Sequence, residues 1–418
     1  MAIARRRAVI VAGALVSTAI AGTTTAGAAE DPAASAPQSH TASVLFKGEF
    51  KESLNGVSYH TFRIPAITRT TDGTLLAFAE GRAKSNKDYG NVNLLYKRST
   101  DQGKTWSSLK EAVGAGMGTW GNPTPVIDRS TGTIWLFLSW NAHDKSQKGG
   151  PNPDTGEPTT AITKWGERRT FVMKSDDDGQ SFTGLDGSSS PTDMTEALLP
   201  KTKADGKDWA WDAMGPGNGI QTSGGVLIIP AQHRNIYSTD HGRTWHVQKL
   251  AEDTSEATIT ELADRTLYRN DRATTAADAQ AERRWVSRGT SVTSPFSAFT
   301  PDQKLLDPMM QASVLQYNTD APARTIFLNS ADTGSRLHMR ARISYDNART
   351  WPRSRPLSDG PDPVGGGSEG GYSSMTKTSD WHIGALVETN LNNGSNGAPH
   401  ALVFRKFNLS WILHGCAC

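Results

Sequence analysis

The sequence predicts an all-β chain folded as a six-bladed β-propeller. Three observations carry that expectation. Short apolar runs recur between Gly- and Asp-rich turns. No long stretch carries a clear helical period. One eight-residue box appears four times. The apolar runs include Thr74–Phe78, Thr133–Leu138, Val226–Ile229, Thr325–Leu328 and Ile383–Val387. Each has the length of a strand and is bounded by residues that favour turns.

The box reads Ser-x-Asp-x-Gly-x-Thr-Trp. Its copies are Ser99–Trp106, Ser175–Phe182, Ser238–Trp245 and Ser344–Trp351. The parts suit a hairpin turn. The Asp accepts bonds from turn amides, and the Gly permits positive φ. The Thr and the aromatic residue open the next strand, where the ring can wedge between sheets. In the fourth copy Ala348 stands at the glycine position, so that turn is expected to be strained or of another type. A calcium loop is the rival reading of the box, but too few ligands are present for one. The copies are unequally spaced, which fits one box per sheet with some sheets lacking it. Radial repetition of this kind leaves only short, protected sheet edges. A first strand near Val44 to Phe50 is expected to close on a last strand near Ala401 to Leu409.

The ends of the chain read differently. Residues 1–29 resemble an export signal: Arg5-Arg6-Arg7, an apolar stretch from Ala8 to Ile20, then small residues around Ala26 to Ala29. The arginines leave a twin-arginine route open. Residues 30–42 are Ala-, Pro- and Ser-rich and read as a disordered linker. The propeller is assigned to 43–410 and a C-terminal tail to 411–418. The formal net charge is +2, and cleavage of the signal would remove three arginines and no acid. A nearly neutral chain has no general attraction for nucleic acid. The expectation is a secreted monomer with no nucleic-acid partner and no membrane association after cleavage. Cys416 and Cys418 are one residue apart, poorly suited to pair with each other. A mobile tail or intermolecular pairing is expected there.

Chemistry enters at Tyr59-His60-Thr61-Phe62-Arg63-Ile64-Pro65-Ala66-Ile67. Pro65 biases Ile64 toward extended geometry. Arg63 among Phe62, Ile64 and Ile67 lies near a core, and a buried guanidinium needs an anion. Phe62-Arg63-Ile64-Pro65, followed by the four boxes, resembles the bacterial and animal sialidases, the exo-α-sialidases of glycoside hydrolase family 33. The boxes alone speak for fold. Both motifs together, in order, span about residues 43 to 410.

That resemblance implies a set of site residues. Sialic acid carries a carboxylate on its anomeric carbon, and several arginines from different strands would clamp it. Arg63 matches the first of these. The segment Glu256 to Arg272 nominates Arg272 as the second, with Arg269 as rival. Asn329 to Arg336 nominates Arg336 as the third, with Arg340 and Arg342 as competitors. Tyr372, in Gly370-Gly371-Tyr372-Ser373-Ser374-Met375 after the Gly365–Gly367 stretch, matches the family's nucleophile. A neutral phenol avoids repulsion by the substrate carboxylate, provided a base takes its proton. Glu256 matches that base. Such a tyrosine is a known departure of sialidases from the usual two-carboxylate scheme. Asp88, in the polar stretch Glu80 to Gly90, matches the acid that protonates the leaving oxygen. Arg82 matches a glycone contact. Glu388, closing an apolar strand, would orient Arg63.

The implied partners are sialylated glycans, glycoproteins or glycolipids, and no cofactor is implied. The stretch Asn141 to Arg169 is expected to form a rim loop. Two rivals follow from the same residues. One is a related nonulosonic-acid hydrolase or a transferase, and the other is a glycan-binding propeller without catalysis.

Overall fold

The computed structural model describes residues 31–417, apart from 115, 117, 275–281, 365–367 and 391–400. The export-signal segment 1–29, the Gly365–Gly367 stretch and Cys418 lie outside the described residues. Among the described residues, regular structure is nearly all strand, with short helices at Thr195–Leu198 and Leu409–Leu413.

Groups of four antiparallel strands follow one another along the chain. The first holds Thr61–Arg69, Leu75–Arg82, Val92–Ser99 and Lys110–Val113. The second holds Gly118–Ile127, Ile134–Ala142, Arg168–Ser175 and Thr192–Asp193. A short parallel pairing, Val92 with Thr119, joins these two. The third runs from Ile220–Gln221 to His246–Lys249, and the fourth from Thr254–Glu261 to Thr300–Leu306. The fifth starts at Ser313–Asn318 and ends at Arg353–Pro356. The last joins Ser368–Lys377, Ile383–Asn390 and Ala401–Phe407 to the N-terminal strand His40–Phe46.

Neighbouring groups pack face to face, which is why many strands are buried on both sides. The box aromatics sit in these seams. Phe182 meets Phe78 and Tyr96 of the preceding group. Trp245 meets Trp135 and Phe137, and Trp106 meets Phe404 of the last group.

Each box is closed by its own Asp. In the first copy, Asp101 accepts the Ser99 hydroxyl (2.8 Å), the Thr105 amide (2.9 Å) and the Thr105 hydroxyl (2.6 Å), while Ser99 accepts the Gly103 amide at 2.8 Å. The fourth copy repeats this pattern on Asp346 and Ser344. Ala348 keeps the left-handed φ of +56° that Gly103 has at +84°. The turn type therefore survives, and the strained alternative is the one found. A Cβ is tolerated there because Ala348 faces a core containing Tyr268, Phe327 and Trp351. At Gly242 a Cβ would come 2.3 Å from Trp135. Gly242→Ala should therefore cost about 3 kcal/mol in urea unfolding, from overpacking added to backbone strain. Ala348→Gly should stay within about 1 kcal/mol of wild type, since relief of strain offsets a lost buried methyl. Equal losses in the two variants would contradict this reading of the boxes.

Both chain ends depart from expectation. The linker assigned to 30–42 is structured from Pro32: Pro32–Ser35 forms a 3₁₀ turn, and the first strand already begins at His40. It pairs antiparallel with Ala401–Phe407, His40 opposite Phe407. The His40 ring packs on Phe407 and Trp411, and Asn408 bonds the Ser39 amide and the Pro37 carbonyl. The tail assigned to 411–418 is not loose either. Trp411 lies in the helix Leu409–Leu413, and Cys416–Ala417 pairs with Arg353–Pro356. Cys416 is free and exposed.

Candidate active site

Arg63 lies near the start of Thr61–Arg69, where the pairing with Leu75–Arg82 shifts register between Arg63 and Ala66. At this bulge Ile64 takes a φ of +56°, against the extended geometry its proline neighbour favours. A β-branched residue there is strained. The strain is held by contacts distant in sequence. Glu388 Oε1 accepts the Ile64 amide at 3.0 Å, and the Ile64 side chain packs with Met310 and Tyr372.

Glu388 is fully buried and its two oxygens are well occupied. Oε1 also accepts Arg63 Nε at 3.0 Å, while Oε2 accepts Arg63 Nη2 at 3.3 Å and the Tyr372 amide at 3.0 Å. The neighbouring Gly371 has φ +131°, and a Cβ there would meet Glu388 Oε2 at 2.4 Å. One carboxylate thus fixes the guanidinium of Arg63 and the backbone of Tyr372 together.

The Tyr372 hydroxyl donates to Glu256 Oε1 and lies 3.0 Å from Arg272 Nη1. Arg272 also donates to Glu256 Oε2 at 2.7 Å. Burial, then the charge of Glu256, pushes the phenol above its ordinary range, against the pull of Arg272, Arg336 and Arg63. The phenol is therefore protonated at neutral pH, with a carboxylate already on its proton. Arg63 and Arg336 place their guanidinium carbons 5.2 and 5.6 Å from the Tyr372 ring centroid.

Asp88 stands on the Arg63 side of the same cavity. Its Oδ1 is 2.7 Å from Arg82 Nη1 and 3.3 Å from Arg63 Nη1. The side chain is 69 % exposed, so water reaches it inside the recess. Desolvation by the surrounding walls raises its pKa, but the charges of Arg82 and then Arg63 outweigh this and hold it at about 2. Arg82 is itself anchored by Glu80 at 2.7 and 3.1 Å. The stretch Asn141 to Arg169 carries short strands, Lys145–Ser146, Gly150–Pro151 and Pro158–Ala161. Its Asp154 accepts the Asn91 amide at 2.6 Å, tying the rim to the segment that bears Asp88.

Arg63, Arg82, Asp88, Glu256, Arg272, Arg336 and Tyr372 line one cavity of about 670 Å³, and Glu388 backs Arg63 from behind. The rival arginines do not line it. Arg269 is buried against Asp271 at 2.7 Å, Arg340 donates to Ser354 and Arg342 to Asn329. The cavity also holds residues that sequence reasoning did not assign. Arg168 bonds Asn122, Asn141 and the Asp212 carbonyl, with its guanidinium carbon 4.3 Å from the Trp211 ring centroid. No local motif marks Arg168.

A cation-lined recess with a phenol on a carboxylate and a second carboxylate opposite is the equipment of a hydrolase for an acidic sugar. Comparison with known proteins agrees. Residues 73–386 match the family model described as BNR repeat-like domain. The chain is 47% identical over 407 residues to an exo-alpha-sialidase of Aspergillus fumigatus, covering 93% of this chain and 95% of that one. It is 46% identical over 419 residues to an exo-alpha-sialidase of Arthroderma benhamiae, covering 96% and 97%. The solved Hadza microbial sialidase Hz136 superposes with a TM-score of 0.66 at 24% identity, over 85% of this chain and 67% of that chain. The chain belongs to the sialidase family of glycoside hydrolases. The two relatives at 46% and 47% identity are fungal, whereas the motifs suggested a likeness to bacterial and animal sialidases.

Proposed function

We propose that the chain is a secreted exo-α-sialidase of glycoside hydrolase family 33, folded as a six-bladed β-propeller. It removes terminal α-linked sialic acids from glycoproteins, glycolipids or free glycans, acting as a monomer. The observation that carries the reading is the Tyr372 hydroxyl on Glu256, facing Arg63, Arg272 and Arg336. The six successive four-stranded groups, with the N-terminal strand completing the last, support the blade count. Secretion rests on the character of residues 1–29.

The reaction proceeds in two steps. The three arginines hold the substrate carboxylate. Asp88 gives its proton to the leaving glycosidic oxygen as the bond from that oxygen to the anomeric carbon breaks. Glu256 takes the phenol proton, and the Tyr372 oxygen bonds to the anomeric carbon. Asp88 then takes a proton from water, the water oxygen attacks the same carbon, and the tyrosyl bond breaks as Glu256 returns its proton. Two inversions give net retention.

In the free enzyme Asp88 is ionised, so it must gain a proton before it can act as an acid. An arriving carboxylate competes for Arg63 and neutralises the charges that hold Asp88 low. Its pKa therefore rises on binding, and binding should take up a proton at pH values between the free and bound pKa. Titration calorimetry of a non-hydrolysable sialoside near pH 5, in buffers of different ionisation enthalpy, should show uptake of a fraction of a proton, and Asp88→Asn should abolish it. Equal proton uptake in the two proteins would remove Asp88 from this role.

The functional test is release of 4-methylumbelliferone from its α-sialoside. Turnover establishes the hydrolase. Saturable binding of sialosides by folded protein without turnover would instead favour the non-catalytic glycan-binding propeller. Asp88→Ala should lose less activity on this activated leaving group than on a natural glycan, since such a group needs little protonation.

A further inference from the structure

The strands that bear Arg63 and Tyr372 carry cations at their other ends. Thr61–Arg69 ends in Arg69, Ser368–Lys377 ends in Lys377, and Arg129 follows the end of Gly118–Ile127. The three line a second cavity, of about 410 Å³, that shares no residue with the catalytic recess.

Two of these cations bond neutral groups. Arg69 donates to the Ser379 hydroxyl at 3.2 Å, and Lys377 to the Tyr317 carbonyl at 2.9 Å. The carboxylates nearby are engaged elsewhere. Glu261, across the mouth, accepts the amide and hydroxyl of Ser223 at 2.7 and 2.9 Å. Asp128, beside Arg129, accepts Gln221 and the Ser130 amide at 2.9 Å each, and lies 2.8 Å from His241. Asp320 at the rim is the carboxylate that Lys377 senses. Burial and then the charge of Arg129 lower Arg69, and burial with the charges of Arg69 and Arg129 lowers Lys377 against the pull of Asp320. Among the described residues none of the three cations has a direct ion pair with a carboxylate, and like charges gathered in this way favour an incoming anion.

An aromatic platform adjoins them. Trp381 is 63 % exposed, with Lys377 Nζ 4.5 Å from its ring centroid. An exposed indole beside cations presents an apolar face to a sugar ring while the cations hold its charged substituent.

We propose that this mouth is a second binding site, for a sugar bearing an oxoanion, either a sulfate ester or a carboxylate. It would hold the protein on an acidic glycan while the catalytic recess stays free. The inference does not depend on the sialidase reading.

The test is titration calorimetry of the whole protein at low salt with N-acetylglucosamine 6-sulfate, glucuronic acid and neutral N-acetylglucosamine. At least one acidic sugar should bind and the neutral sugar should not. Binding of the sulfate alone identifies a sulfate-ester site, and binding of both identifies a general oxoanion site. Arg129→Gln/Lys377→Gln should weaken affinity about tenfold or more by removing two charged contacts. Trp381→Ala should weaken it as well. Arg272→Gln, in the catalytic recess, should leave it unchanged. Absence of binding by both acidic sugars overturns the proposal. So does full affinity in the double variant, or loss of binding in Arg272→Gln.

Discussion

Tyr372→Phe should lower kcat on an aryl α-sialoside by about a thousandfold or more, the scale expected when a covalent nucleophile is removed. The fold should be unaffected. The ring of Tyr372 is buried with Ile64 and Met310, and phenylalanine keeps that packing. Only the hydroxyl is lost, and its partners Glu256 and Arg272 remain bonded to each other at 2.7 Å. The variant should therefore unfold near the wild-type temperature and still bind a carboxylate inhibitor through Arg63, Arg272 and Arg336. Glu256→Gln should show a comparable loss for a different reason: the phenol remains but nothing removes its proton. Rapid quenching and mass spectrometry with a fluorinated sialosyl substrate distinguish the steps. Wild type should carry a covalent adduct on Tyr372, and Tyr372→Phe none. Near wild-type turnover in Tyr372→Phe would exclude the phenol as nucleophile.

Legibility in the sequence followed the range of the interactions. The boxes were readable because each is a closed local unit. Asp101 satisfies Ser99 and Thr105 within eight residues, and nothing distant is needed to form the turn. Arg63 and Tyr372 were readable through short motifs, and the cavity contains both. The choice of Arg272 over Arg269, and of Arg336 over its neighbours, agrees with which side chains reach that cavity. From the segments alone the competitors stayed open, because strand phase decides which face a side chain takes. The rest was unreadable for physical reasons. Ile64 takes positive φ because Glu388, 324 residues away, captures its amide. The Ala- and Pro-rich N-terminal stretch is ordered by Phe407, Asn408 and Trp411, which no local composition reveals. Arg168 sits in no motif, and its neighbours Asn122 and Asp212 come from other segments.

Glu388→Gln should be the most damaging single change to stability among the site residues. Glu388 is fully buried and compensates Arg63, itself only 7 % exposed. A glutamine presents one carbonyl oxygen and an NH₂ group where two carboxylate oxygens now accept four bonds. Its NH₂ would confront either the Ile64 amide with Arg63 Nε, or the Tyr372 amide with Arg63 Nη2. Removing one partner of a buried ion pair costs about 3–5 kcal/mol, since the remaining charge is left uncompensated. Asp88 does not replace it, because it touches Arg63 only through Nη1 from the solvent-filled side. The pH dependence should change with it. Burial raises the Glu388 pKa, but Arg63, Arg336 and the two backbone amides bring it below its ordinary 4.5. A carboxyl lowered on folding adds stability above its unfolded pKa and loses it as pH falls through the folded value. Wild type should therefore lose stability below about pH 4.5 through this group, and Glu388→Gln should lack that component. Urea unfolding of both proteins at pH 7 and pH 4 tests this, and the gap between them should narrow at the lower pH. A gap that stays constant would mean that shape, not charge, is what Glu388 contributes. The strain at Ile64 gives a second readout. Without a carboxylate on its amide, the bulge should relax toward the extended geometry that Pro65 favours and carry Arg63 out of the clamp. A loss of inhibitor affinity should therefore accompany the loss of stability.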